Sequence, residues 1–66
     1  MYQVNIYELR DLPNGDQEER LVRTVSEHDE WSSAVSAYQE LMPEYDTEND
    51  QYASIYDTQN DIQTQL

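Results

Sequence analysis

Sixty-six residues make one domain, residues 1–66, the natural reading. Fifteen Asp and Glu stand against three Arg and no Lys, for a formal charge of −12. That charge excludes direct binding to DNA, RNA or an anionic membrane surface, all of which need a basic footprint.

The chain has no Cys, so disulfides, thiolate metal sites and cysteine nucleophiles are excluded. No run approaches the roughly 18 apolar residues of a membrane span. MYQVNIYELR lacks a basic segment leading into an apolar one, so no signal peptide is expected and a cytoplasmic location follows. High charge with 36% apolar residues leans toward disorder. Six Tyr, one Trp and clear apolar periodicities oppose that leaning and predict a folded chain.

Residues 2–9 predict a strand. Tyr2, Val4 and Ile6 alternate with Gln3 and Asn5, a dry face against a wet one. Pro13-Asn14-Gly15 then predicts a tight turn, because Asn and Gly accept positive φ and Pro presets the bend. Leu21, Val22, Thr24 and Val25 mark a second strand at about 18–25, completing a hairpin. Ser26 with Asp29 fits a loose capping box, and Glu27, Asp29 and Glu30 suit the positive end of a helix dipole. Trp31, Ala34, Val35, Tyr38, Leu41 and Met42 recur on one helical stripe, and Pro43 stops that helix near 42.

Glu44 to Asp50 reads as a loop or extended edge, and Tyr52 to Asp57 as a third strand. The tail, Thr58 to Leu66, frays or adds a short edge strand. The expected fold is an α+β two-layer domain of order β-β-α-β, with a three- or four-stranded antiparallel sheet packed on one helix. If the third strand returns beside the first, the order is 2-1-3 with a right-handed crossover. Val4, Ile6, Leu21 or Val22, Val25, Trp31, Val35, Tyr38, Leu41 and Ile55 form the expected core.

The catalytic inventory is nearly empty, and no enzyme is expected. His28, between Glu27 and Asp29, could serve as a base or pH switch but reads as a solvated residue at a helix start. One Gly cannot build a phosphate loop, and no Ser stands in a nucleophile elbow. General acid–base work needs a desolvated carboxyl, which solvated surface acids do not supply. Asp46 to Asp57 resembles a calcium-binding EF-hand loop, with oxygen ligands at positions 1, 3, 5, 9 and 12. Gln51 stands where the turn needs Gly, Asp57 is shorter than the bidentate Glu, and no clear helix follows. No metal and no cofactor are expected.

Charge distribution is the strongest signal. Residues 1–23 hold five acids and all three Arg, net −2, while residues 24–66 hold ten acids and no Lys or Arg, net −10. Glu44, Asp46, Glu48 and Asp50 alternate, so an extended backbone would project them from one side about 6.6 Å apart. Asp57 and Asp61 extend the row, and Glu27, Asp29 and Glu30 make a second patch. Tyr45, Tyr52 and Tyr56 interleave with the acids as aromatic anchors. A regular row of like charge repels itself and calls for a basic partner, such as the nucleic-acid channel of another protein.

In its acids and tyrosines from Glu44 to Asp61, and in its size, the chain resembles the small acidic inhibitors that phages encode against host defences, the DNA-mimic anti-restriction and anti-CRISPR proteins. The resemblance implies a protein-binding inhibitor that mimics phosphate charge, acts in the host cell cytoplasm and blocks the nucleic-acid cleft of a defence complex. Its partner would be a basic nucleic-acid-binding protein or complex. The alternatives are a salt-adapted acidic domain of halophilic type, whose acids hold water and counterions, and an antitoxin or regulatory interaction module. The exposed tyrosines could instead close a homodimer.

Overall fold

The computed structural model describes residues 1–41, 48 and 50–66. Strands β1 (Tyr2–Asp11) and β2 (Gln17–His28) lead into helix α1 (Trp31–Glu40), followed by β3 (Gln51–Asp57) and β4 (Ile62–Thr64). One four-stranded sheet of order β2-β1-β3-β4, antiparallel at every pairing, carries the helix on one face. The α+β class and the antiparallel sheet agree with the expectation, and β3 lies beside β1. The element order is β-β-α-β-β instead of β-β-α-β, because Ile62–Thr64 pair with Ile55–Asp57. The tail's backbone groups find ladder partners there instead of fraying.

The hairpin is longer than its apolar pattern. Beyond the β-branched run, Ser26, Glu27 and His28 stay extended opposite Val4, Gln3 and Tyr2. At the other end, Leu12 N donates to Asp16 O at 2.8 Å and Gly15 N to Leu12 O at 3.0 Å. Asn14 Oδ1 accepts from Asp16 N at 3.1 Å, and Gly15 takes the positive φ, +89°, that favours glycine. The expected Asn-Gly turn is therefore in place, inside a five-residue loop.

Extending β2 to His28 moves the helix start. Ser26 is a strand residue whose Oγ meets His28 Nε2 at 2.8 Å, so it caps nothing. Glu30 is the N-cap, with no side-chain capping bond, and its carbonyl accepts the first helical bond from Ala34 N at 3.2 Å. No acid lies in the first turn, so Glu27 and Asp29 precede the helix and Glu30 only borders it. The helix ends with Leu41 as C-cap, and Met42 and Pro43 lie outside the described residues.

The core lies between α1 and one sheet face. Val4 and Ile6 from β1, Ala53 and Ile55 from β3, and Ala34, Tyr38 and Leu41 from α1 form it, with Tyr2, Val25, Val35 and Ala37 at its margin. The helical spacing of Ala34, Tyr38 and Leu41 is the dry stripe meeting the sheet. Three expected core residues lie elsewhere. Leu21 and Val22 are 50% and 41% exposed on β2, an edge strand with register shifts where Val25 and Val22 are skipped. Leu21 thereby faces away from the helix, opposite Tyr7, and Val22 occupies an irregularity. Trp31 is 41% exposed at the helix start, its ring edge-on to Tyr2 with centroids 5.5 Å apart.

Candidate functional site

Strand register decides which charges share a surface. Paired residues in antiparallel strands project to the same side, and neighbours along a strand alternate. Arg20 stands opposite Glu8, Arg10 opposite Glu18 and Arg23 opposite Ile6. Ile6 is a core residue, so all three arginines belong to the helix side of the sheet. The other side, which no helix among the described residues covers, carries Gln3, Asn5, Tyr7 and Leu9 from β1, Glu19, Leu21 and Glu27 from β2, and Tyr52, Ser54 and Tyr56 from β3. No Lys or Arg of this sheet projects there.

The expected acidic residues separate into two groups. Glu48 and Asp50, both exposed, lie before β3, where Asp50 O accepts Leu9 N at 3.1 Å. Asp57 is the last residue of β3, seven residues and about 20 Å along an extended strand from Asp50, and Asp61 lies in the turn that follows. They do not continue a row with Glu48 and Asp50. The register instead brings them to the end occupied by the second patch: Tyr2 pairs with both His28 and Asp57, and Gln3 with both Glu27 and Tyr56. Glu27, Asp29 and Glu30 are exposed there. Glu44, Tyr45 and Asp46 lie outside the described residues.

Two of these acids also build the β3–β4 turn. Asp57 Oδ1 accepts from Gln59 N at 3.0 Å, and Oδ2 from Asn60 Nδ2 at 2.8 Å. The Asn60 side chain, then the backbone N–H groups, hold the Asp57 carboxyl below its ordinary value against some desolvation, and the Met1 amino group adds to the effect. Asp61 adopts φ +53° and accepts the Tyr56 hydroxyl at 2.6 Å. That bond is the first cause of a raised Tyr56 pKa.

The tyrosines gather with one that the periodicity assigned to neither face. Tyr7 is buried and stacks on Tyr52, with ring centroids 5.8 Å apart and planes 27° off parallel. Tyr52 reaches across β1, and its hydroxyl donates to Glu19. Burial, followed by the bond to Glu19, pushes the Tyr52 hydroxyl far above its ordinary pKa, and Gln63 acts in the opposite direction. Beneath these rings Asn5 is 2% exposed and Ser54 fully buried, paired across β1 and β3. Asn5 Nδ2 donates to Tyr7 Oη at 3.0 Å, while Asn5 Oδ1 and Ser54 Oγ have no hydrogen-bond partner among the described residues. The wet face expected of β1 is thus a polar, tyrosine-roofed layer. The odd-numbered run Gln3, Asn5, Tyr7, Leu9 was its available sequence signal.

A concave pocket of about 390 Å³ opens on this face, lined by Leu9, Glu19, Tyr52, Gln63 and Gln65. A second, of about 230 Å³, lies between α1 and β2 at Val25, Ser26, Ala37, Glu40 and Leu41. His28 is a partly buried strand-end residue bonded to Ser26, rather than a solvated helix-start residue. Among the described residues no helix is long and apolar enough to cross a membrane.

The described residues define a class, a small α+β domain in which helix α1 packs on an open antiparallel sheet. No family model matches the chain, and no curated protein or solved structure is detectably similar to it.

Proposed function

We propose that this protein is an acidic inhibitor that binds a basic cleft of another protein and occupies the place of nucleic-acid phosphates, in the manner of anti-CRISPR and anti-restriction proteins. The observation that supports the reading is that Glu27, Asp29 and Glu30 and, from a segment about 30 residues further on, Asp57 and Asp61 lie at the same end of the sheet, with Glu27 on its open side and Asp57 on its helix side. No Lys or Arg follows Arg23 to neutralise them. Such a concentration repels itself and gains most beside a complementary basic surface, where it also speeds encounter. Glu48 and Asp50 offer a separate negative contact beyond the opposite end of β3.

The test is displacement of fluorescent DNA from a panel of purified nuclease complexes of bacterial defence systems. The reading expects displacement from at least one complex, with an association rate that falls steeply as salt rises. The double variant Glu27→Lys/Asp29→Lys should slow association about tenfold or more with the circular dichroism spectrum unchanged. Failure to displace DNA from any complex at low salt would overturn the reading. Displacement unaffected by those charge reversals would remove the acidic end from the interface.

A further inference from the structure

We propose that the pocket over Leu9 on the open sheet face receives one arginine side chain of a basic protein partner. The proposal rests on the acidic-inhibitor reading and names a particular contact within it. Three features of the pocket select a guanidinium. Its charged group is the Glu19 carboxylate, which Tyr52 holds from one side through its hydroxyl. A carboxylate has about four acceptor positions, so one bond from tyrosine leaves room for a bidentate donor. Gln63 and Gln65, whose amides carry acceptor oxygens, also line the pocket.

The wall is aromatic. Tyr52 is braced by stacking on Tyr7, which fixes its ring. A planar cation packs on such a face more favourably than a strongly hydrated ammonium does. Leu9, 38% exposed and directly opposite Glu19 in the β1–β2 register, gives the aliphatic stem an apolar surface. About 390 Å³ accommodates one long side chain.

The chain's own cations do not supply this group from within the sheet, because Arg10, Arg20 and Arg23 project from the helix side. A second copy is disfavoured by its own charge of −12. Charge complementarity therefore selects a basic partner.

The experiment titrates the full-length, isotope-labelled protein with a decapeptide of alternating Arg and Ser at low salt, followed by amide NMR. A Lys–Ser peptide of equal length is the comparison. The expected result is perturbation centred on Leu9, Glu19, Tyr52, Gln63 and Gln65, with the Lys peptide several-fold weaker. Glu19→Gln keeps an acceptor for the Tyr52 hydroxyl and removes only the charge, so it should weaken the Arg peptide about tenfold. Perturbation centred on Glu27 and Asp61, or unchanged affinity in Glu19→Gln, would overturn the pocket while leaving the acidic-inhibitor reading intact. No binding of either peptide would overturn the pocket, and the DNA-displacement assay decides the acidic-inhibitor reading separately. A concentration-dependent dimer abolished by Glu19→Gln would assign the pocket to a second copy and overturn the proposed partner.

Discussion

Tyr52 and Tyr56 show how one residue type takes two functions on one face. Each presents a ring to the open side of the sheet and ties its hydroxyl to a carboxylate, Glu19 or Asp61. Only the neutral phenol can donate those bonds. Both folded pKa values are raised above 10.0, for Tyr52 mainly by burial and for Tyr56 mainly by Asp61. The stability these groups contribute is therefore fully present below about pH 10 and is lost as pH rises through the folded values. In an ultraviolet titration of the phenolate band, Tyr52 and Tyr56 should contribute a component above the ordinary tyrosine range, alongside the loss of sheet ellipticity. Tyr52→Phe and Tyr56→Phe should each remove one late component. A titration that the two substitutions leave unchanged would show that neither carboxylate bond persists in solution. That these tyrosines stand among the acids was legible in the sequence, but their carboxylate partners were not. Glu19 lies 33 residues from Tyr52, and only strand order places it within reach.

At the scale of elements, strand pairing overrode local pattern in two places. The hairpin was legible because alternation, β-branching and Asn-Gly agreed. In its second strand Val25 packs at the core margin as expected, but Leu21 and Val22 do not enter the core. Leu21 and Val22 are as apolar as any core residue, but β2 is an edge and its irregularities turn Leu21 to the open side. Ile55, in β3 and fully buried, meets the helix instead. Ile55→Ala should destabilise the fold by about 3 kcal/mol through lost burial and a residual cavity. Leu21→Ala, half exposed, should change stability by about 0.5 kcal/mol or less. Urea unfolding of the two variants checks the contrast, and equal losses would mean that Leu21 is part of the core after all. The helix start was misplaced for a related reason. Ser26 and Asp29 carry capping chemistry, but backbone partners on Tyr2 and Val4 held the chain extended through His28.

For the whole molecule, charge is the governing property. The excess of acids repels itself at low ionic strength, and the repulsion is screened over about 10 Å at 0.1 M salt. If the acids serve binding, the continuous helix-side core suffices, and thermal unfolding by circular dichroism should be cooperative in low salt, with the midpoint rising only modestly in molar KCl. A chain that folds only in molar KCl would assign the acids to salt adaptation and remove the main support for an inhibitor.

Length, charge and apolar period were enough to establish an acidic α+β domain with an amphipathic helix and a hairpin, because these depend on local preferences and on summed properties of the chain. They also identified the acids and tyrosines as the surface chemistry. Which of those groups stand together was decided by tertiary structure alone. The pleat sends all three arginines to the helix side and Tyr7, Tyr52 and Tyr56 to the other, and β3 places Asp57, with Asp61 in the turn after it, away from Glu48 and Asp50 at the end of the sheet that holds Glu27, Asp29 and Glu30. Strand register is a long-range pairing, and a shift of one residue would reverse every face.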